Sequence, residues 1–174
     1  QKFSSSRFPE PSGKSALAMD SIGQQDIRVT PMQMALIGAG IANDGVVMEP
    51  HIVKQTLTSD LDVISTTKPK EFGRAMSKTT AKHMQEMMVA DVESGTGHRA
   101  AISGVKVAGK TGTAEINAST PPHVWFVSFA PADDPKIAVA VVVENSGNAG
   151  WNGDGGSVAA PIARKVIQAY LGSS

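Results

Sequence analysis

The sequence predicts an α+β fold, in which an antiparallel sheet is flanked by helices, and two patterns carry this prediction. Beyond Ile102, three apolar segments follow one another with short links, which is typical of an antiparallel meander. Apolar residues at helical spacing occur both before and after this region. A run of strands placed between helical segments favours an α/β protein of the α+β type.

The composition is that of a globular domain. Of 174 residues, 41% are hydrophobic and 18% are charged, and sixteen Lys and Arg balance sixteen Asp and Glu. A net charge of zero provides no positive field to gather nucleic acid or an anionic membrane surface, so we expect no nucleic-acid partner. No segment reaches the roughly 18 apolar residues of a membrane span, and residues 1–11 lack the apolar core of a signal peptide.

The residue types also limit the chemistry. The sequence has no cysteine, which excludes disulfides, thiolate metal sites and a cysteine nucleophile. The four histidines are never paired at the spacing of a helical or hairpin metal site. We therefore expect no metal.

The N-terminal part divides into an arm and a helix. Residues 1–20 mix Ser, Pro, Gly and Lys, which predicts a loop or extended arm, and we assign the domain to residues 21–174. Thr30 followed by Pro31 is typical of a helix start, with threonine as the N-cap. The apolar run that follows predicts a helix that is buried on most sides and ends at Asn43-Asp44-Gly45.

The middle of the chain is predicted to hold short extended segments and a second helix. Residues 46–57 are interrupted by Pro50, and residues 58–73 form a polar excursion. Ser77 can cap a helix that stops at Gly95, with apolar positions every three or four residues: Ala81, Met84, Met88 and Val92. We interpret these methionines as core instead of a cofactor or partner groove, because Met fills irregular gaps in ordinary interiors.

The predicted sheet comes next, and a helix closes the chain. The strands lie in "ISGVKVAGKTGTAEI", "HVWFVSFAP" and "KIAVAVVVEN", with "ADDP" as a tight link between the last two. In the C-terminal segment four apolar residues recur every four positions and predict a stripe that packs on the sheet: Val158, Ile162, Val166 and Tyr170.

The first strand carries Lys110-Thr111-Gly112-Thr113, a pattern that a purely structural strand does not need. Acyl transfer needs an activated hydroxyl, donors for an oxyanion and a cation near the substrate carboxylate, and Lys110 suits the last role. Thr111 and Thr113 alternate onto one face, so both hydroxyls can point at that carboxylate. For Gly112 two interpretations stay open: a β-bulge or close strand packing, and space for neighbouring helices.

A strand with K-T-G, a following hairpin and a C-terminal helix is the context of this motif in penicillin-binding proteins and serine β-lactamases. Several further segments match in order, from "SIGQQDIRVTPMQMALIGAGIANDGVVMEPHIV" through "GTGHRA", "VAGKTGTAE" and "HVWFVSFAP" to "AAPIARKVIQAYL". The chain thus resembles the C-terminal portion of a class B penicillin-binding protein transpeptidase domain. It is particularly similar to the small class B proteins of mycobacteria and related actinobacteria.

The resemblance implies a penicillin-binding-protein/serine β-lactamase-like transpeptidase fold and a peptidoglycan D,D-transpeptidase. Such an enzyme forms a serine acyl-enzyme with a stem peptide and passes it to an amine of a neighbouring strand, and β-lactams imitate the donor. The resemblance implies no cofactor, and it names cell-division proteins as candidate partners. It also implies a cell-membrane location, with one N-terminal anchor and an extracytoplasmic catalytic domain.

The same resemblance assigns roles to the four residues of the K-T-G strand. Lys110 is catalytic and substrate-binding, Thr111 and Gly112 are substrate-binding, and the backbone N–H of Thr113 is half of the oxyanion hole. Without the flanking context, Lys110 would be interpreted as a solvated lysine on a strand.

The nucleophile of the family is the serine of an S-x-x-K motif, which precedes an S-x-N motif and then the K-T-G strand. Ser65-Thr66-Thr67-Lys68 fits S-x-x-K, but it lies in a polar stretch next to Pro69, and Ser146-Gly147-Asn148 fits S-x-N but follows K-T-G. We interpret both as exposed loop residues, because a motif counts only in its structural context. We expect the nucleophile on an upstream polypeptide of the same protein, and this chain alone to be inactive.

Weaker candidates and rival functions stay open. Trp125 is interpreted as core in preference to a ligand platform. Surface turns, in preference to rims of a cleft, are the interpretation of Gly95-Thr96-Gly97, Arg99 and "NSGNAGWNGDGG".

A D,D-carboxypeptidase, a β-lactamase or a β-lactam sensor would use the same strand. A noncatalytic wall-binding or partner-binding relic is the alternative of a different class.

Overall fold

A computed structural model of the chain describes residues 5–172. Its helices and strands alternate irregularly before a continuous C-terminal sheet. They are α1 (Lys14–Asp20), α2 (Pro31–Ala42), β1 (Val46–Met48), β2 (Gln55–Leu57), β3 (Val63–Thr66), β4 (Glu71–Arg74), α3 (Lys78–Ser94), β5 (Ala108–Ala114), β6 (His123–Ala130), β7 (Ile137–Val143) and α4 (Ala160–Gly172). A π-helical turn at Gly155–Ala159 leads into α4. No helix in the described range is long and apolar enough to cross a bilayer.

The predicted meander is confirmed. Strands β5, β6 and β7 form one antiparallel sheet in that order. Lys110 lies opposite Val127, and Gly112 lies opposite Trp125. Because directly opposite residues share a face and the side-chain period is two, these four residues lie on one face of the sheet, and Thr111 and Thr113 lie on the other.

Helices cover both faces of this sheet. One buried cluster joins Ile41 of α2 and Met88 of α3 to Ala108 and Phe129 of the sheet. A larger cluster lies on the opposite face against α4 and contains Val92, Ala100, Val107, Phe126, Ala130, Ala159, Ala160, Ala163 and Ile167. The sheet is therefore sandwiched between helices, as the α+β prediction requires.

The two predicted helix starts are confirmed by their caps. The Thr30 side chain accepts a hydrogen bond from the backbone N–H of Gln33 at 3.2 Å, and the Ser77 side chain accepts one from Thr80 at 3.0 Å. The expectation that α2 is buried on most sides is wrong, because only Gly38, Gly40 and Ile41 are buried. One face of α2 packs on the sheet, and its other apolar residues stay partly open.

Two predictions for the irregular parts need correction. Residues 1–20 are not entirely a loop or extended arm, since Lys14–Asp20 form α1; residues 1–4 lie outside the described range. Residues 58–73 contain two short strands, because β3 pairs with β2 and β4 pairs with β1. All three elements, α1, β3 and β4, are short and mostly exposed, so they have little apolar periodicity to reveal them.

The predicted contact face of α4 is wrong. Its buried residues are Ala160, Ala163 and Ile167, which pack on the sheet. Ile162, Val166 and Tyr170 of the predicted stripe are 42%, 43% and 46% exposed. Small alanines on the inner face let the helix lie close to the strands, which a search for large apolar residues does not detect.

Candidate active site

Lys110 projects from a strand edge that has no partner strand within the described residues, since β5 pairs only with β6. Its side chain is 60% exposed. The Nζ atom donates hydrogen bonds to the Thr111 hydroxyl at 3.0 Å and to the Thr111 carbonyl at 3.1 Å. It also lies 3.8 Å from Oδ1 of Asp91 on α3. The ammonium is thus held at the open edge of the sheet.

The backbone of Thr113 faces the same edge. Its carbonyl accepts a hydrogen bond of 3.0 Å from Nε2 of Gln24, a residue of the loop between α1 and α2. In an antiparallel strand the N–H and C=O of one residue point to the same side. The Thr113 N–H therefore also points away from β6. An outward-pointing backbone N–H on a strand edge is the geometry that an oxyanion donor needs.

The Thr111 hydroxyl is engaged within the protein. Its Oγ1 lies 2.6 Å from Oγ1 of Thr96, in the loop after α3. Thr111 and Thr113 share one face, as period two predicts, but only Thr113 directs an exposed side chain there. Gly95-Thr96-Gly97, interpreted from sequence as a surface turn, is thus in direct contact with the K-T-G strand.

Gly112 lies where two elements approach closely. The register of β5 with β6 is regular at this position, so the β-bulge interpretation is wrong. A Cβ atom at Gly112 would lie 3.3 Å from Cβ of Trp125. On the other side, a Cβ at Gly155 of the π turn would lie 2.9 Å from the Gly112 carbonyl oxygen. Close strand packing and a neighbouring helical turn therefore both apply.

A largely apolar groove of about 580 Å³ opens beside Lys110, between α2, α3 and the sheet. Its lining includes Met34, Ile37, Ile41, Met84, Met87, Met88, Asp91, Lys110, Thr111, Gly112, Trp125 and Val127. Met88 is buried as predicted, but Met87 is 59% exposed. The methionines of α3 are therefore partly core and partly groove. Trp125 is a partly buried wall of this groove and not the core residue that was expected.

Neither serine of the two short motifs lies in this groove. Ser65 is exposed, as expected, but on strand β3 instead of a loop, and its Oγ is 2.6 Å from the Thr56 hydroxyl of β2. Ser146 is fully buried and donates a hydrogen bond of 2.9 Å to the Pro122 carbonyl. The expectation of an exposed loop is wrong for Ser146, since the following glycine-rich segment folds over it. No described serine is among the residues that line the groove.

The glycine-rich segment has a structural role at Asp154. Its carboxylate accepts hydrogen bonds from the backbone N–H groups of Gly156 at 2.7 Å and Ser157 at 3.0 Å, and from the Ser157 hydroxyl at 2.8 Å. The Ser157 side chain above all, then the two N–H groups, hold the pKa of Asp154 below its ordinary value of 3.8. The charge of Arg99 adds to this lowering of the pKa. Asp154 thus caps the π turn that packs on Gly112.

Sequence reasoning missed Asp91 and Gln24. Asp91 had a signal, because it follows Met84 by seven residues and Met88 by three, which places a carboxylate on the apolar stripe of α3. Gln24 had none, since a loop glutamine 89 residues before Thr113 meets it only through the tertiary fold. In the described residues, no group of His, Asp or Glu side chains is arranged to hold a metal ion.

Comparison with known proteins points to one family. The model of the penicillin-binding protein transpeptidase domain matches residues 3–168. Peptidoglycan D,D-transpeptidase PbpA of Mycolicibacterium smegmatis is 48% identical over 159 residues, which are 90% of this chain and 32% of that protein. PbpA of Mycobacterium tuberculosis H37Rv is 46% identical over the same shares. The chain spans about a third of the length of these relatives.

Solved structures give the same result. Penicillin-binding protein A of M. tuberculosis, as a ceftriaxone acyl-enzyme complex, superposes with a TM-score of 0.90 at 44% identity, over 95% of this chain and 38% of that one. Its penicillin G acyl-enzyme complex superposes with a TM-score of 0.83 at 43% identity, over 94% and 37%. The predicted transpeptidase fold is confirmed.

Proposed function

The chain belongs to the penicillin-binding protein transpeptidase family, and from this premise we propose that it is the K-T-G portion of a peptidoglycan D,D-transpeptidase. In this proposal the complete protein forms a serine acyl-enzyme with a stem peptide, transfers the acyl group to an amine of a neighbouring strand, and is acylated by β-lactams. The names of the relatives favour transpeptidase over carboxypeptidase or sensor.

One observation carries the proposal: a cation and an outward-pointing backbone donor lie on the same strand edge, next to a groove. Lys110 supplies a positive charge for a substrate carboxylate, and the Thr113 N–H points out from the same edge. An acyl donor bound along β5 would meet both groups at once. Oriented donors of this kind stabilise the developing oxyanion without reorganising during the reaction.

We propose that the nucleophilic serine comes from an upstream part of the same polypeptide. The groove beside Lys110 gives such a part room to approach. Its lining is mainly apolar, so a helix of the upstream part could pack into it. The single N-terminal membrane anchor and the extracytoplasmic location belong to the same proposal. Stem peptides and cell-division proteins are its proposed partners.

The test is labelling of the complete protein by a fluorescent penicillin. We expect covalent labelling of the complete protein and none of the chain 1–174 alone. Lys110→Ala should slow acylation by about a hundredfold or more, as loss of a preorganised charge does. Lys106→Ala is the matched control, because Lys106 pairs with exposed Asp133 at 3.0 Å just before β5 and should leave the rate unchanged.

Two results would contradict the proposal. Labelling of the isolated chain would place a nucleophile within residues 1–174. An acylation rate for Lys110→Ala within a few-fold of the Lys106→Ala control would remove Lys110 from the site.

A further inference from the structure

We propose that Asp91 is a positioning residue, which acts through Thr96 to fix the Thr111 hydroxyl and the Lys110 ammonium in one orientation. The inference rests on the proposed function, in which Lys110 meets the substrate carboxylate. Asp91 lies near the C-terminal end of α3, with its side chain only 13% exposed. Its Oδ1 accepts a hydrogen bond of 3.0 Å from the Thr96 hydroxyl and lies 3.8 Å from Lys110 Nζ.

The two ends of this chain of contacts fix the direction of every hydrogen bond in it. A carboxylate only accepts and an ammonium only donates. The single proton of Thr96 goes to Asp91, so Thr96 must accept from Thr111 across their 2.6 Å contact. Thr111 then has a lone pair left to accept from Lys110 at 3.0 Å. The order is Lys110 to Thr111 to Thr96 to Asp91.

This order has a consequence for substrate binding. The Thr111 proton is committed to Thr96, so it is not available to a bound carboxylate. Lys110 donates hydrogen bonds to the Thr111 hydroxyl and carbonyl, and these restrain the end of its flexible four-carbon side chain. An ammonium has three N–H donors, so one stays free to point along the strand edge. Asp91 therefore determines where the positive charge is presented.

The backbone after Asp91 folds back on its main-chain carbonyl and leaves room for its carboxylate. The N–H groups of Gly95 and Gly97 both donate to the Asp91 carbonyl, at 3.0 and 3.1 Å. A Cβ atom at Gly95 would lie 2.7 Å from Asp91 Oδ1, and one at Gly97 would lie 2.7 Å from Oδ2. Only glycines leave the side chain this space, and the loop between them carries Thr96.

Stability of α3 does not explain the carboxylate. A negative charge near a helix C-terminus interacts unfavourably with the helix dipole. Oδ2 of Asp91 is buried and has no hydrogen-bond partner among the described protein residues, which is also unfavourable. The ion pair with Lys110 adds little to folding, because at 3.8 Å it is long and the Lys110 side chain is 60% exposed. The favourable contacts of the Asp91 carboxylate are with Lys110 of the K-T-G strand and with Thr96, which contacts Thr111 of that strand.

The experiment compares two variants of the Thr96 hydroxyl in the complete protein, because Thr96 is exposed and we expect its replacement to spare the fold. Thr96→Val removes the hydroxyl with little change of shape, and Thr96→Ser keeps it. Binding and acylation constants are measured for a penicillin and for its carboxylate methyl ester, in competition with a fluorescent penicillin. We expect Thr96→Val to lower the acid-to-ester preference by about tenfold or more, because small displacements of a positioned group are costly. Thr96→Ser should restore the preference.

Asp91→Asn, with Glu93→Gln as control, tests the charge itself. Glu93 is exposed two residues further along α3, so Glu93→Gln removes one negative charge without touching the network. We expect a reduced acid-to-ester preference for Asp91→Asn and an unchanged one for Glu93→Gln. An unchanged preference in Thr96→Val, or an equal fall for acid and ester, would overturn the inference. A wild-type protein without any acid preference, or without acylation, would instead overturn the proposed function.

Discussion

At the residue scale, the positive charge, the exposed hydroxyl and the outward backbone N–H of the K-T-G strand belong to different groups. Lys110 carries the charge, Thr111 is tied to Thr96 within the protein, and Thr113 offers both an exposed hydroxyl and an outward N–H. The sequence prediction that both threonine hydroxyls bind the substrate carboxylate stays a prediction, and Thr113 is the threonine whose side chain is exposed. Its two groups have different proposed roles, so two substitutions can separate them.

Thr113→Ala should mainly weaken β-lactam binding, whereas Thr113→Pro should mainly slow acylation. Alanine removes one hydrogen bond to a charged group, which is worth about 1.5–3 kcal/mol, and keeps the N–H. Proline removes the N–H, and loss of an oxyanion donor costs on the order of a hundredfold to a thousandfold in the chemical step. Because that N–H points away from β6, proline should be tolerated there as on other edge strands.

Stopped-flow acylation of the complete protein gives both constants, and circular dichroism with thermal melting checks the fold. Equal effects of the two substitutions on the acylation step would assign the stabilisation to the hydroxyl. An unfolded proline variant would show that the N–H is needed within the sheet.

At the element scale, the parts with local signals were predictable and the parts that depend on tertiary contacts were not. Thr30 and Ser77 are caps that act within their own helices, and the β5–β7 meander follows from apolar segments with short links. α1 is only seven residues long, and so short a helix depends on its surroundings for stability. The inner face of α4 was not predicted because two of its three buried residues are alanines.

In the candidate site, too, the residues with a local sequence signal were predictable and the residues that meet them through tertiary contacts were not. The motif placed Lys110 on the first strand of the sheet, and for Gly112 it left close strand packing and space for neighbouring helices as open interpretations. The partners of the motif come from the loop before α2 and from the end of α3, and no spacing rule joins those segments to β5. The π turn is a third such partner, since Gly155 packs on the Gly112 backbone.

Asp154→Ala tests whether the cap holds this turn in place. We expect a loss of about 0.5–1 kcal/mol in the free energy of unfolding at pH 7, at the lower end for N-caps because solvent screens an exposed carboxylate. The folded-state pKa lies below 3.8, so the charge stabilises the fold above that pH. The stabilisation is lost as the pH falls through the still lower folded-state pKa.

Denaturant unfolding of the complete protein at pH 7 and near pH 3 measures the difference. Asp60→Ala is the control, because Asp60 is exposed in the β2–β3 turn. A difference between Asp154→Ala and the control that stayed constant or grew toward low pH would contradict the cap assignment.

At the scale of the whole molecule, two partly open apolar features lie where the proposed upstream part would pack. The groove beside Lys110 is bounded by apolar side chains of α2 and α3, including exposed Met87. The apolar strand β7 pairs, within the described residues, only with β6. Apolar surfaces and strand edges of this kind are normally covered in folded proteins. Both surfaces adjoin the sheet that carries the K-T-G motif.

Met87→Glu in the complete protein, compared with Met32→Glu, tests whether the groove is covered. The two methionines are 59% and 55% exposed in the structure, but only Met87 lines the groove. Both lie on helices, and Met and Glu have similar helix propensity; at Met32, in the first turn of α2, a carboxylate is in addition favoured by the helix dipole. If an upstream part packs into the groove, the carboxylate introduced by Met87→Glu would bring an unpaired charge into an apolar contact, which costs several kcal/mol unless the contact opens.

We therefore expect Met87→Glu to lower the melting temperature of the complete protein and to slow its labelling by a fluorescent penicillin. Met32→Glu should behave like the wild type, since surface substitutions usually change stability by less than about 0.5 kcal/mol. Equal melting temperatures and labelling rates for the two variants would mean that the upstream part reaches Lys110 without covering this groove.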